Sequence, residues 1–283
     1  MKAIFVTKAG SADVLKLKEI DKPAPKDNEI LVKVKAATVT RGDVALRKLP
    51  RALLFIVGIL AGFKAQKISG VEFAGIVETI GNEVQKFKVG DEVFGTTTGL
   101  VYGANAEYVC IPESRKQGVV ATKPAKLSFE QAAALPVGGM TALYLLKKAN
   151  IQSGQRVLIN GASGSVGSYA VQLAKYFGAE VTAVCSNKHV TIVQSLGADN
   201  VIDYTKEDFV NSGVKYDVIF DAVGKLTKSH AKSALQDSGT YLTVKSLTKE
   251  STDNLILLKE LANKGVLTPM IDKTYSLEQI ADA

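Results

Sequence analysis

Cysteine is scarce in this sequence: Cys110 and Cys185 are the only two, on separate stretches that read as strands. Two such thiols build no disulfide framework, and this usage fits a reducing compartment, so a cytoplasmic location is expected. Histidine is as sparse. His189 and His230 flank no cysteine pair and have no helical ligand spacing, so no metal site is expected from them. Long apolar runs are missing too. The most hydrophobic stretch, Ala52 to Phe63, is twelve uncharged residues between Arg51 and Lys64, whereas a spanning helix needs about 20. It is left as a pocket-covering or amphipathic helix, a surface that makes peripheral contact with a membrane, or core. A net charge of +7 comes without a basic tract or interleaved aromatics, so no nucleic acid is expected as a partner. No internal repeat is present. Lys2 leads at once into the strand-like Ala3-Ile4-Phe5-Val6, which reads as the start of a fold and not as a signal peptide.

What the sequence has in abundance is apolar residues, 46% against 22% charged, the balance of a soluble chain with a sizeable core. One stretch organises it. Val157-Leu158-Ile159-Asn160 is a short apolar run that stops at Gly161-Ala162-Ser163-Gly164-Ser165-Val166-Gly167. A helical pattern follows, with Val166, Ala170, Leu173 and Ala174 on one face. Strand, tight turn and helix together present backbone N–H groups and a positive helix end to a phosphate. The spacing is G-x-x-G-x-x-G, one residue off the usual G-x-G-x-x-G, and glycines that serve only packing are the alternative.

The residues downstream favour a dinucleotide. A second strand, Glu180 to Cys185, ends where such folds meet the adenosine ribose. An NAD-preferring site carries a carboxylate about 20 residues past the first glycine. Here Ser186-Asn187-Lys188 occupies that point, and no acid follows until Asp199. A carboxylate would repel a 2′-phosphate, whereas a hydroxyl, an amide and an ammonium receive one. The expected cofactor is NADPH; Lys188 as a solvated loop residue is the alternative. Further strands follow at Asn200–Tyr204, Tyr216–Asp221 and Thr240–Val244, separated by helical stretches over 190–196, 206–211 and 225–235. Continuous apolar runs alternating with helices read as a doubly wound parallel sheet. Asp221-Ala222-Val223-Gly224 ends its strand in small residues, as a backbone close to a ligand requires.

The first hundred residues have a different texture. Short strands at 3–7, 30–37, 75–79, 92–95 and 107–111 alternate with turn clusters, which argues for a mostly antiparallel, barrel-like domain. Ser128 is placed to cap a helix that Pro136 ends, and a second helix is expected over 139–148. The change to α/β texture falls near Pro124, giving domains 1–123 and 124–265, with 266–283 beginning a return to the first.

Read together, Gly70-Val71-Glu72-Phe73-Ala74-Gly75, Val89-Gly90-Asp91-Glu92-Val93, Ala132 to Ala142 and Asn160 to Ala174 resemble the medium-chain dehydrogenase/reductase superfamily. The likeness is to its zinc-free branch of quinone oxidoreductases. It implies a GroES-like catalytic domain followed by a Rossmann domain, and NADPH-dependent reduction of an apolar quinone or α,β-unsaturated carbonyl. It places Thr40, Val71 and Val137 where zinc-dependent members carry their ligands, and none of these is a good zinc donor. The resemblance implies that Thr141 and the backbone of Ser165, Val166 and Gly167 meet the pyrophosphate. Ser186, Lys188 and Tyr204 would surround the phosphorylated ribose, and Ala222, Val223 and Gly224 the inner ribose. Thr40 stands where relatives often carry an asparagine facing the nicotinamide. Asp43 is a candidate for positioning substrate; a turn or N-cap aspartate for the helix through Leu46 is the alternative. Tyr102 and Tyr108 are candidate phenol donors. The segment 245–251 is short and polar, and the helix beginning at Leu277 stops at Ala283, where relatives continue. Both departures leave the usual homodimer in question. A non-catalytic NADPH-binding module that uses the apolar stretch against a membrane or partner is the competing reading.

Overall fold

The structure is a computed structural model describing residues 1–50, 53, 67–100, 103–115 and 117–283. The apolar stretch at 52–63, Leu53 apart, and Tyr102 lie outside the described residues. The chain divides into two compact units. The first is Met1–Pro136 with Ser251–Lys259 and Ile271–Ala283, and the second is Val137–Glu250 with Glu260–Met270.

In the first unit, β1 (Lys2–Val6) and β2 (Leu15–Glu19) form an antiparallel ribbon. A five-stranded sheet contains β3 (Glu29–Ala37), β4 (Glu72–Ile80), β5 (Glu92–Thr96), β6 (Tyr108–Pro112) and β7 (Val120–Thr122). Its order is β6-β3-β4-β5-β7, and every pairing is antiparallel. Alternating positions on these strands supply one core, including Ile30, Val32, Phe73, Val77, Val93, Val109 and Ile111. Two strands escape the hydrophobic pattern. Leu15-Lys-Leu-Lys-Glu is exposed along nearly its whole length, and β7 has only three residues.

Two helices belong to this unit: α1 (Arg41–Lys48), and α2 (Phe129–Ala133), capped by Ser128 and Gln131. Because α2 packs against β3 and β4, the first compact unit runs on through Pro136. The helix capped by Ser128 stops at Ala133, short of Pro136, and the next helix starts earlier than the expected residue 139. Pro136 is the first residue of α3 (Pro136–Lys148), the position where a missing N–H is harmless and a fixed φ helps.

The second unit is a parallel sheet built from β8 (Arg156–Asn160), β9 (Glu180–Cys185), β10 (Asn200–Asp203), β11 (Tyr216–Asp221) and β12 (Leu235–Thr243). The helices α4 (Ser165–Tyr176), α5 (Val190–Ser195) and α6 (Lys228–Lys232) intervene. Strand order is β10-β9-β8-β11-β12, with all pairs parallel. The chain starts in the middle and reverses direction between β8 and β11, which opens a crevice at the carboxyl ends of those strands. Val157, Leu158, Ile159, Ile219 and Phe220 are wholly buried at its centre, each contributing about 1.5–3 kcal/mol of hydrophobic stabilisation. The expected Rossmann sheet is present. The helices around β12 are shorter than the sequence suggests. The stretch 206–211 yields only a 3-10 turn at Phe209–Ser212, and α6 gives way at Leu235 to a bulged strand.

Candidate functional site

The glycine-rich turn leaves β8 at the crevice. Gly161 has φ +77°, and a Cβ there would meet Val223 Cγ2 at 2.4 Å. At Gly167 a Cβ would lie 2.1 Å from the Gly161 carbonyl oxygen. Both positions are therefore glycine because the turn folds tightly on itself. The turn is anchored to the sheet by Gly161 and Ala162 N–H groups, each donating to Val184 O at 3.0 Å.

Gly164 is different. Its backbone is extended (φ −79°, ψ 170°), and an added Cβ would touch only Gly161 O, at 3.4 Å. It is exposed and occupies the N-cap of α4, where Ser, Thr, Asp or Asn would be preferred. No side chain caps the helix. The amides of its first turn, Ser165, Val166 and Gly167, have no acceptor one helical turn earlier. They form the positive end of a 12-residue helix whose cap position is kept bare.

The side of the turn is closed by α3. A Cβ at Gly138 would lie 2.6 Å from Ser165 Oγ, so this glycine lets α3 approach the start of α4. Thr141, three residues on, shares that face of α3 and is half-buried. Sequence reading singled out Thr141 by resemblance and passed over Gly138, whose signal was only a Gly-Gly pair inside a helical pattern.

At the carboxyl end of β9, Ser186 Oγ lies 3.2 Å from His189 Nδ1, and Lys188 is exposed. Tyr204, 63% exposed, follows β10, and its N–H donates to Cys185 O at 3.2 Å, so the structure brings these residues to one corner. Asp199, the first acid in sequence, stands at the other end of the strand. It accepts from Val181 N–H at 2.7 Å and pairs with Lys175 at 2.8 Å. Asp203 was not singled out, yet it stands in register with Cys185 at the crevice end. Its Oδ1 accepts from Thr205 N–H at 3.0 Å and Thr205 Oγ1 at 2.8 Å, with Lys206 Nζ 3.8 Å from Oδ2. Those hydrogen bonds from Thr205 hold its carboxyl below the usual aspartate range.

The other lip of the crevice is the turn Ala222-Val223-Gly224. Asp221, which precedes it, is completely buried. Its Oδ1 accepts from Asn160 Nδ2 at 2.9 Å and Val223 N–H at 3.1 Å, and its Oδ2 accepts from Leu226 N–H at 2.9 Å. Tyr241 Oη lies 3.3 Å from the same Oδ2 and 3.0 Å from Leu226 O. Burial, and then the Asp221 charge, raise the Tyr241 pKa, so this phenol keeps its proton at neutral pH.

Thr40 and Asp43 belong to the first unit, and the structure pairs them with each other. Thr40 is the N-cap of α1. Asp43 Oδ2 accepts from Thr40 Oγ1 at 2.6 Å and Thr40 N–H at 2.9 Å, while Asp43 N–H donates to Thr40 Oγ1 at 3.1 Å. This reciprocal capping box is the helix-capping alternative. Burial raises the Asp43 pKa, opposed by hydrogen bonds from Thr40 and the Gly70 N–H. Tyr108 carries the Lys22 ammonium 4.2 Å above its ring. It lines a cavity of about 700 Å³ in this unit together with Phe5, Ile20, Ile68, Leu100 and Cys110. Among the described residues, no three His, Cys, Asp or Glu side chains are grouped to hold a metal ion, and no helix is long and apolar enough to cross a membrane.

A parallel sheet with a glycine-rich phosphate turn, following an antiparallel domain, defines a class of two-part dinucleotide-dependent proteins. Residues 26–124 match the alcohol dehydrogenase GroES-like domain, and residues 165–282 match the zinc-binding dehydrogenase family. The chain is 35% identical to the 2-methylene-furan-3-one reductase of Solanum lycopersicum, covering all of this chain and 75% of that protein. It is 32% identical to a chloroplastic NADPH-dependent alkenal/one oxidoreductase of Arabidopsis thaliana, again over all of this chain and 75% of the relative. The solved structure of a quinone oxidoreductase from Coxiella burnetii superposes with a TM-score of 0.86 at 28% identity, covering 100% of this chain and 93% of that one. The chain belongs to the medium-chain dehydrogenase/reductase superfamily, among its quinone oxidoreductase-like members, and is an oxidoreductase.

Proposed function

We propose that this protein is an NADPH-dependent, zinc-independent reductase that delivers hydride to a quinone or an α,β-unsaturated carbonyl. The observation that carries the reading is the bare N-cap. Gly161 and Gly167 are required by the turn itself, but Gly164 is demanded neither by packing nor by φ, and its lack of a side chain leaves three amides open. A pyrophosphate fits that cradle in charge and in donor type. One arm of the dinucleotide would run toward Ser186, Lys188 and Tyr204, where Lys188 offers a charge-assisted contact to a 2′-phosphate. Asp199 stands at the other end of β9, paired with Lys175, and Asp203, at the crevice end, is hydrogen-bonded by Thr205 with the Lys206 ammonium 3.8 Å from Oδ2, which offsets part of its charge. The other arm would pass Ala222, Val223 and Gly224, with Thr141 beside the pyrophosphate.

The cofactor, when bound, supplies the hydride. A quinone or an enone spreads the incoming negative charge onto its own oxygen, so the protein contributes proximity and a few donors. The side chains at 40, 71 and 137 are a hydroxyl and two isopropyl groups, a donor set that zinc does not favour. The relatives named for a furanone, an alkenal/one and a quinone support the same substrate class. The test is loss of reduced-nicotinamide absorbance with a panel of small quinones and enones, run with and without a chelator. Turnover that persists in chelator and prefers NADPH over NADH is the expected result. NADPH binding with no turnover on any acceptor would refute the enzyme reading, and turnover abolished by chelator would refute zinc independence.

A further inference from the structure

We infer that Asp221 is a positioning residue for the nicotinamide half of the cofactor alone. The inference rests on the dinucleotide crossing the switch-point crevice as proposed above. Asp221 is wholly buried, and donors from three chain segments converge on it: Asn160 at the end of β8, the turn amides of Val223 and Leu226, and the Tyr241 hydroxyl on β12. Oδ1 faces two donors, and Oδ2 faces the Leu226 amide and the Tyr241 hydroxyl, whose single proton it shares with Leu226 O. Only an acceptor-only side chain satisfies both pairs, since an asparagine places an NH₂ against one of them.

The consequence is local. Val223 and Leu226 N–H groups bracket Gly224, which sits at φ +75°, so the carboxylate holds that left-handed turn closed. The same turn brings Val223 against Gly161, and Ala222 N–H donates to Asn160 O at 2.9 Å, fixing the width of the crevice on the β11 side. The hydrogen bonds that Asp221 itself accepts come from β8, its own turn and β12, and the β9 side, where Ser186, Lys188 and Tyr204 stand, is joined to them only indirectly, through Asn160 and the Gly161 turn at Val184. A dinucleotide lying across the switch point has one nucleoside on each side of β8. Loosening this turn therefore perturbs one half of the ligand and leaves the other.

The experiment is calorimetric titration of wild type and Asp221→Asn with NADPH and, separately, with adenosine 2′,5′-bisphosphate, which carries only the adenosine half. The expected result is a Kd for NADPH raised about tenfold, as one misplaced donor pair implies, with the bisphosphate affinity held within about twofold. Parallel loss of both ligands would overturn the inference in favour of a general structural role, and so would no loss of either. If Asp221→Asn does not fold, Tyr241→Phe takes its place. That variant keeps the carboxylate and removes one donor, and is expected to weaken NADPH by a few-fold with the bisphosphate unchanged; equal or absent effects overturn the inference. Wild type that binds neither ligand would instead bring down the NADPH assignment on which this rests, a distinct outcome.

Discussion

Replacing Gly164 with aspartate separates a phosphate site from a turn that merely packs. The substitution is tolerable in the fold: the backbone there is extended, and the added Cβ meets one carbonyl oxygen at 3.4 Å. An aspartate at an N-cap accepts from the first-turn amides, a gain over glycine of about a few tenths of a kcal/mol. Its charge at the positive end of α4 adds about 0.3–1 kcal/mol. Thermal stability should hold or rise, by about 2–4 °C for each kcal/mol in a chain of this size. Binding moves the other way. The carboxylate occupies amides whose charge-assisted bonds to a phosphate are worth about 1.5–3 kcal/mol. Across about 4 Å, at an effective dielectric near 20, it also repels a phosphate charge by about 4 kcal/mol. Even half of the smallest sum is about two orders of magnitude in Kd. Differential scanning fluorimetry without ligand and fluorescence titration with NADPH measure the two quantities. Gly164→Asn, which caps without charge, should fall between wild type and Gly164→Asp. An aspartate variant as stable as wild type with unchanged NADPH affinity would refute the idea that the bare cap exists for an anion.

Lys188→Ala should weaken NADPH by about 1.5–3 kcal/mol at low salt and leave NADH unchanged, the gap narrowing as salt screens this exposed cation; an unaltered NADPH/NADH ratio in paired titrations would make Lys188 a solvated surface residue. Asp43, its pKa raised by burial above the ordinary 3.8, leaves the native state with more bound proton than the unfolded state just above that value. The stability held by its neutral form is present below 3.8 and lost as pH rises through the native pKa. Asp43→Asn should therefore gain on wild type in urea-melt stability as pH rises from 3.8 through the native pKa, and parallel curves would show that Asp43 does not titrate in that way. Burial pushes the Cys110 thiol up to about 11, and burial also raises Cys185. Both thiols should react slowly with iodoacetamide in the native protein near neutral pH and faster in denaturant, as mass spectrometry would show; rapid native alkylation of either would contradict its raised pKa.

The Rossmann half was legible because buried parallel strands are written as near-continuous apolar runs, and the centres of β8, β9 and β11 are such runs. The antiparallel half was legible only where one face meets the core. β2 exposes four of its five residues and β7 is a three-residue strand, so neither carries a hydrophobic period to read. Pro136 follows the end of one helix and opens the next, and only the first of these two roles was read from the sequence. Thr40 and Asp43 lie three residues apart, the spacing of a capping box and also of two groups offered to a substrate; in the structure Asp43 Oδ2, Thr40 Oγ1 and both amides form the capping box.

The glycine motif shows why spacing alone carries limited weight. Three glycines at intervals of three look like one signal, but two causes produce them. Gly161 and Gly167 would be glycine in any turn this tight, ligand or none, because a Cβ at either would run into Val223 or into the turn's own carbonyl. Their presence cannot distinguish a binding protein from a well-packed one. Gly164 can, since the fold would be slightly better off with a capping side chain there and does not have one. Asp221 is the converse case. In sequence it is one acid at the end of a hydrophobic run, and its meaning depends on donors from residues 160, 223, 226 and 241 that only the fold brings together. A position where local stability is forgone and a position where long-range hydrogen bonds converge thus flank the same crevice, and the proposed ligand site rests more on these two departures than on the motif that first suggested it.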